Sequence, residues 1–532
     1  MKMKIAVICG VLLFEGLAST TIANAAAPAE GAAIGKSAST PSDLVTSEGA
    51  VTVGGKRIDY RAVAGTLVVH PKGWDDAASD GGNAPVASMF YAAYFKKGAP
   101  ARERPITFIY NGGPGSSTMW LHMGSFGPKR VLIKVGEQTT APYTVVENRS
   151  SLLDVTDVVF IDAPGTGFSR ISGADKEKAF FGLDADAHAF AEFITGFLSR
   201  HQRWGSPRFL FGESYGATRT AILVNLLINE YSVDVNGVVL LSQVLNNDLS
   251  AKVAQFNPGT DDGYIVSLPS YAATAWYYNK LPGTRPRELE PFLREVEQFA
   301  TSEYAVALHA GAALDPTRRE AMARKLSELT GLPAAYILKS NLRVGSGQFR
   351  KMLLDDQGLT LGMCDARFSA PSIDPLSKEA DNSVLPDLAM TLSAYVSSVN
   401  DYVRTTLGYG GEKAYKPMID DSSWTYERPQ PPGAPTKIIG IMNVMTDLAT
   451  AMKSNPKLEV LVTAGYYDFC TTYYESAFEM RHLPLPDSLR KNIEYQFYPT
   501  GHWPYNTDET LRSMHDKVAD FIRRLAGVRA GE

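Results

Sequence analysis

With 532 residues, ordinary apolar and charged fractions and a net charge of −5, the chain is long enough to bury a large core. Its mild acidity, without a concentrated block of Lys and Arg, excludes a nucleic-acid-binding protein. Beyond the N-terminus no segment is long and apolar enough to hold the protein in a membrane.

The N-terminus has the pattern of an export signal. Lys2 and Lys4 precede the apolar residues 5–14, and Ala23-Asn24-Ala25 supplies the small-x-small site a signal peptidase needs. A stretch of roughly ten apolar residues ended by Glu15 is too short to span a bilayer, which takes about twenty. Residues 1–25 are therefore expected to be removed, leaving a periplasmic or extracellular protein with no membrane association. Residues 26–47, rich in Ala, Gly, Ser, Thr and Pro, are expected to form a flexible leader. Once the signal has gone, Cys364 and Cys470 are the remaining cysteines, and spacing leaves their pairing open. Asn148-Arg149-Ser150 is a glycosylation sequon only in a host that glycosylates.

Strand signals dominate next, at 50–53, 57–62, 65–70 and 86–95. Short apolar runs at 106–110, 158–161, 209–211 and 238–241 then alternate with helical stretches at 185–198 and 217–229. Buried strands spaced by helices predict a mostly parallel α/β sheet covered on both faces. From 251 to 430 the text is helical and aromatic-rich, and strand texture returns at 458–463 and 493–498 before a last helix near 508–525. The expected organisation is one α/β domain in two parts, 48–250 and 431–532, interrupted by a helical cap insertion at 251–430. Tyr271, Trp276, Tyr277 and Tyr278 in that insertion are candidates for a substrate pocket or for the core of the cap.

Gly212-Glu213-Ser214-Tyr215-Gly216 lies between the apolar run 209–211 and the helical 217–229. A serine flanked by glycines at a strand-to-helix turn is a nucleophile elbow: the tight turn pushes the hydroxyl out, and glycine avoids clashes with strand and helix. A serine nucleophile needs a base and the base an orienting acid, in the chain order Ser, Asp or Glu, His. Asp468 follows the strand at 458–463 and His502 follows that at 493–498, both beyond strand ends where open α/β sheets place their sites. Of the eight histidines, His70, His122, His188 and His201 precede the serine, His309 falls in the insertion, and His482 and His515 lie in helical text. Asn111-Gly112-Gly113-Pro114-Gly115 follows an early strand, so the N–H groups of Gly113 and Tyr215 are the candidate oxyanion hole. Neither a metal-ligand cluster nor a phosphate loop is seen, and no cofactor is expected.

Taken together, Asn-Gly-Gly-Pro-Gly-Ser-Ser (111–117), Asp-Ala-Pro-Gly-Thr-Gly-Phe-Ser (162–169), Gly-Glu-Ser-Tyr-Gly (212–216), Gly-Tyr-Tyr-Asp (465–468) and Gly501-His502 resemble the serine carboxypeptidase family of the α/β-hydrolase fold. The resemblance implies a peptidase that removes residues from peptide C-termini, with peptides as its partners and a preference for acid pH. It implies Ser214, Asp468 and His502 as the triad, Gly113 and Tyr215 as oxyanion donors, and Asn111 and Glu213 as the grip on the substrate's terminal carboxylate. A glutamate beside a carboxylate must be protonated, since like charges in contact disfavour ionisation. The chain departs from the family pattern at Ile109 and Ser125, where a Trp and a Glu would extend the carboxylate network, and at Ser116, where a Cys would stand. Its Asp-x-Pro-Val-Gly-Thr-Gly segment is one residue shorter. An esterase or acyltransferase on the same triad is the alternative, and a non-catalytic binding protein a third class.

Overall fold

In the computed structural model the described residues are 43–74, 84–250, 254–381, 384–428 and 442–527. The expected signal peptide, most of the leader and the boundary near 430 lie outside them. Short apolar runs form the centre of the molecule. In chain order the main strands are β1 (Val45–Val53), β2 (Lys56–Val69), β3 (Val86–Lys96), β4 (Ile106–Tyr110), β5 (Asp157–Ile161), β6 (Arg208–Glu213), β7 (Gly237–Leu241), β8 (Glu459–Gly465) and β9 (Ile493–Tyr498). They lie side by side in the order β1-β2-β3-β5-β4-β6-β7-β8-β9. The first four of that order pair antiparallel, and β5 onward is parallel. Polar residues 43–47, assigned to the leader from composition, are partly strand: β1 begins at Val45, where an edge strand needs to bury only one face.

Helices cover both faces, which is why β4, β5 and β7 are buried at every position. The helices that matter for the site are α1 (Met119–Gly124), α2 (Leu183–Arg200), α3 (Tyr215–Asn229), α4 (Asp262–Tyr277), α5 (Pro386–Asp401), α6 (Met445–Ser454), α7 (Tyr473–Arg481) and α8 (Asp508–Ala526). Side chains alternate along each strand, so Phe108 and Leu240 join one core with α2, α3 and α6. Ile109 and Leu241 join the other, with α1, α5 and α8. A third core gathers α4, the helices up to residue 366 and part of α7. The stretch expected as one insertion therefore divides, with α5 packed on the sheet itself.

One buried ion pair ties the foot of the sheet together. Arg203, beyond the end of α2, is fully buried and donates to Asp157 of β5 at 2.5 Å, to Ser206 and to the Arg104 carbonyl. Arg104 pairs with the same aspartate. Removing one member of such a cluster leaves a charge buried. With Arg104 still present to share Asp157, Arg203→Ala is expected to lower unfolding free energy by about 3 kcal/mol, measured by urea denaturation.

Candidate active site

The parallel register aligns the C-terminal ends of the strands at one edge: Tyr110 lies opposite Gly212, Leu241 opposite Glu213 and Thr463, and Gly465 opposite Tyr498. Every expected site residue lies at these ends: Glu213 closes β6, Tyr215 opens α3, and the others stand in the turns and loops between. Ser214 occupies the turn between β6 and α3 at φ 60° and ψ −128°, a region that L-residues rarely adopt. Its N–H donates to the Leu241 carbonyl at 2.9 Å, which locks the turn against β7. A Cβ on Gly212 would stand 2.2 Å from the Gly216 carbonyl oxygen, and one on Gly112 would stand 2.5 Å from the Tyr215 nitrogen. Glycine at these places lets helix, strand and Gly-rich loop close onto one another.

His502 Nδ1 donates to Asp468 Oδ2 at 2.6 Å. Asp468 is fully buried and also accepts from the N–H groups of Cys470 and Thr471 and from the Thr471 hydroxyl. The histidine backbone is fixed as well: its N–H donates to the Cys364 carbonyl at 2.6 Å and its carbonyl accepts from the Ser242 hydroxyl. Cys364 and Cys470, whose pairing the spacing left open, form a disulfide that joins these two segments. Asp468, Cys470 and His502 bring three ligand-type atoms together, but the Cys470 sulfur is bonded to Cys364. That chemistry does not fit a metal site.

Ser214, His502, Gly113, Tyr215, Asn111 and Glu213 all line one cavity of about 130 Å³. Asp468 stands behind His502, outside the lining. An imidazole oriented by a carboxylate can take the proton of a nearby hydroxyl and return it to a leaving group. Asn111 Nδ2 donates to Glu213 Oε1 at 2.8 Å, and Asn111 Oδ1 accepts from the Leu121 N–H at the start of α1. The Asn111 carbonyl accepts from Arg219 of α3, itself fully buried against Asp186. Glu213 is buried, and that burial raises its carboxyl to about 7 against the pull of His502, Tyr505 and Asn111. Asp162 is likewise raised by burial, to about 6, and accepts from the N–H groups of Thr118 and Phe168, tying its loop to the Gly-rich one.

Two readings that the sequence left open are resolved here. Tyr271, Trp276, Tyr277 and Tyr278 do not line the cavity: Tyr271 stacks on Phe349, Trp276 donates to Pro286, Tyr278 donates to Ala366, and Tyr277 is 40% exposed. The apolar walls are instead Trp120, Met363, Leu388, Met418 and Trp503. The Asn148 side-chain amide of the sequon is buried and donates to the carbonyls of Ser125 and Gly127, so it is closed to glycosylation in the folded chain. Sequence reasoning also missed Tyr505, whose hydroxyl donates to Glu213 Oε2 at 2.7 Å, and Glu479. A tyrosine three residues beyond the histidine was the available signal for the first. Among the described residues no helix is long and apolar enough to cross a membrane.

A mostly parallel sheet clad by helices, with a serine turn, an Asp–His pair and a Gly-rich loop at its carboxyl edge, is the α/β-hydrolase fold. The solved structure of the prohormone-processing carboxypeptidase Kex1Δp from Saccharomyces cerevisiae is similar over 88% of this chain and 91% of its own, with TM-score 0.52 and 15% identity, a likeness of fold. The family model for serine carboxypeptidases matches residues 80–272. A stretch of 172 residues is 24% identical to "Serine carboxypeptidase-like 36" of Arabidopsis thaliana, 31% of this chain and 34% of that protein. Another of 130 residues is 33% identical to "Carboxypeptidase Y homolog" of Arthroderma benhamiae, 24% of each chain. These matches span about a quarter to a third of the relatives' length. Over residues 80–272 the chain is therefore similar to the serine carboxypeptidase family.

Glu479 of α7 shapes the wall beside Ser214. Its carboxyl is fully buried, accepts from the N–H groups of Leu245 and Asn246 and from Gln243, and is raised by burial to about 7. The chain it holds continues to Val244 and Asn247, which line the cavity. A carboxyl raised on folding contributes stability that is present below its unfolded value and lost as pH rises through about 7. Glu479→Gln keeps an acceptor for the two N–H groups and does not titrate. It is expected to flatten the fall in melting temperature between pH 5 and pH 8, read by thermal denaturation of both forms across that range.

Proposed function

We propose that the protein is an exported serine carboxypeptidase that releases C-terminal amino acids from peptides through an acyl-enzyme. The observation that carries this reading is the convergence, on one cavity, of a strained serine, an Asp-held imidazole and a buried glutamate–asparagine pair. The match of residues 80–272 to the serine carboxypeptidase model supports it, as does the export-type N-terminal sequence. In the proposed mechanism His502 takes the Ser214 proton as the hydroxyl attacks the scissile carbonyl, and Asp468 holds the ring in the tautomer that can do so. The N–H groups of Gly113 and Tyr215 stabilise the tetrahedral oxyanion. His502 then protonates the leaving amine, and water deacylates the serine by the reverse path.

Glu213 and Asn111 select the substrate. Below about 7 the Glu213 carboxyl carries a proton and donates it to the terminal carboxylate; above that it is ionised and repels the same group. An esterase or acyltransferase would use the triad but not need this pair. The arrangement at 109 and 125 bears on that alternative, since Ile109 is buried in the sheet core and Ser125 donates to the Leu121 carbonyl. Neither supplies the polar reach that the family's Trp and Glu would.

Ser214→Ala is expected to lower kcat by at least about 10⁴-fold on any peptide substrate, measured with an N-blocked dipeptide. Stepwise release of terminal residues should be seen from free peptides and lost on amidating the terminus, with KM for the free form rising as pH passes about 7. Equal turnover of free and amidated peptides at every pH would assign the triad to ester or acyl-transfer chemistry instead.

A further inference from the structure

We propose that Tyr505 is the positioning residue of carboxylate recognition, holding Glu213 for the substrate terminus and setting the upper pH at which a free terminus is accepted. This rests on the carboxypeptidase reading above. Glu213 has two oxygens: Asn111 donates to Oε1 and the Tyr505 hydroxyl to Oε2. The two donors come from opposite ends of the chain and fix the plane of the carboxyl between them. Ser125, at the place where the family pattern has a glutamate, turns its hydroxyl to the Leu121 carbonyl at 2.6 Å. Tyr505 therefore fills a role on Glu213 that the sequence pattern had left without an owner.

The phenol is itself held. Tyr505 is fully buried in the short helical turn Pro504–Asn506, directly after Trp503. Asn506 accepts from the Tyr395 hydroxyl of α5 at 2.6 Å, and Trp503 stacks on Trp120 of α1. Arg130 approaches the Tyr505 carbonyl. With its turn pinned to α1 and α5, the hydroxyl has little freedom to leave Glu213. The groups facing Glu213 are His502 from the loop after β9, Asp468 from the loop after β8, Asn111 from the loop after β4, Tyr395 from α5 and Tyr505 itself. His502, Asn111 and Tyr505 favour the ionised carboxyl, while Asp468 and burial oppose it.

A hydroxyl that donates to Glu213 stabilises its ionised form more than its neutral one. Loss of that donor must therefore raise the pH at which Glu213 gives up its proton. The test compares kcat/KM for a free and an amidated peptide of the same sequence from pH 5 to pH 9. In Tyr505→Phe, the pH at which preference for the free peptide is half lost should move up by about one unit. Tyr505→Met, which also lacks the donor, should move it the same way and serves where the Phe variant does not fold. A role confined to packing would lower both substrates together and leave the midpoint in place, and that result, or a downward shift, overturns the proposal. Failure of the wild-type protein to distinguish free from amidated peptide at any pH would overturn the carboxypeptidase reading first, and this one with it.

Discussion

Ser214 carries a side chain at φ 60° and ψ −128°, a conformation that costs on the order of 1–3 kcal/mol and persists only where neighbours enforce it. Three do so here. The Leu241 carbonyl takes the serine N–H, the Ser214 carbonyl takes the Ala217 N–H in the first turn of α3, and the backbone of Gly112 presses on Tyr215. The turn also solves a problem of direction. Consecutive residues of a strand point to opposite faces, yet Glu213 and Ser214 both line one cavity. Breaking the extended backbone at Ser214 sets a nucleophile beside a carboxyl in adjacent positions of the chain. The imidazole, the Gly-rich loop and the tyrosine after His502 are all arranged around that pair.

Buried acids serve as templates for the loops at this edge. A loop leaving a sheet has no ladder to satisfy its N–H groups, and buried ones must find acceptors. Asp162 supplies them to Thr118 and Phe168, Glu479 to Leu245 and Asn246, Asp387 to Cys364 and Asp365, and Asp468 to Cys470 and Thr471. Each carboxyl thus fixes two backbone groups next to the cavity. Burial raises the carboxyls of Asp162, Asp387 and Glu479 together with that of Glu213. Folding and the proposed chemistry then share a preference for the neutral carboxyl, through the same physical cause.

Much of this was legible in the sequence because it is local. The runs at 106–110 and 238–241 read as buried strands since every position is apolar or compact; the first is a strand at those bounds and the second begins one residue earlier, at Gly237. The elbow was legible because glycine at 212 and 216 marks where backbone must approach backbone. Chain order then selected Asp468 and His502 from their competitors, and the structure joins them by a hydrogen bond. What stayed hidden depends on partners distant in sequence. Tyr505 meets Glu213 across 292 residues, with its place just after His502 as the sole local hint, and Glu479 meets Leu245 across 234 with none. The aromatic cluster near Tyr271 left pocket and cap core both open, since composition cannot tell the two apart, and Tyr271 packs in the core. Residues 45–49 escaped notice because an edge strand with one exposed face needs few apolar residues.

Asp468 and Glu213 are set apart by their donors. Asp468 is surrounded by four: two backbone N–H groups, the Thr471 hydroxyl and the His502 ring. Those four donors fix the carboxyl group against the imidazole. Glu213 has two neutral donors, one to each oxygen, and lies within the field of Asp468, which pushes it further toward the protonated form. One site thus holds a carboxylate that orients an imidazole and a carboxyl that keeps its own proton to about neutral pH. A third carboxylate, the proposed substrate terminus, would then enter beside the one acid able to donate to it. Burial raises Glu213 and its few donors oppose that only in part, which is why a single hydroxyl on Glu213 has leverage over which substrates the cavity accepts.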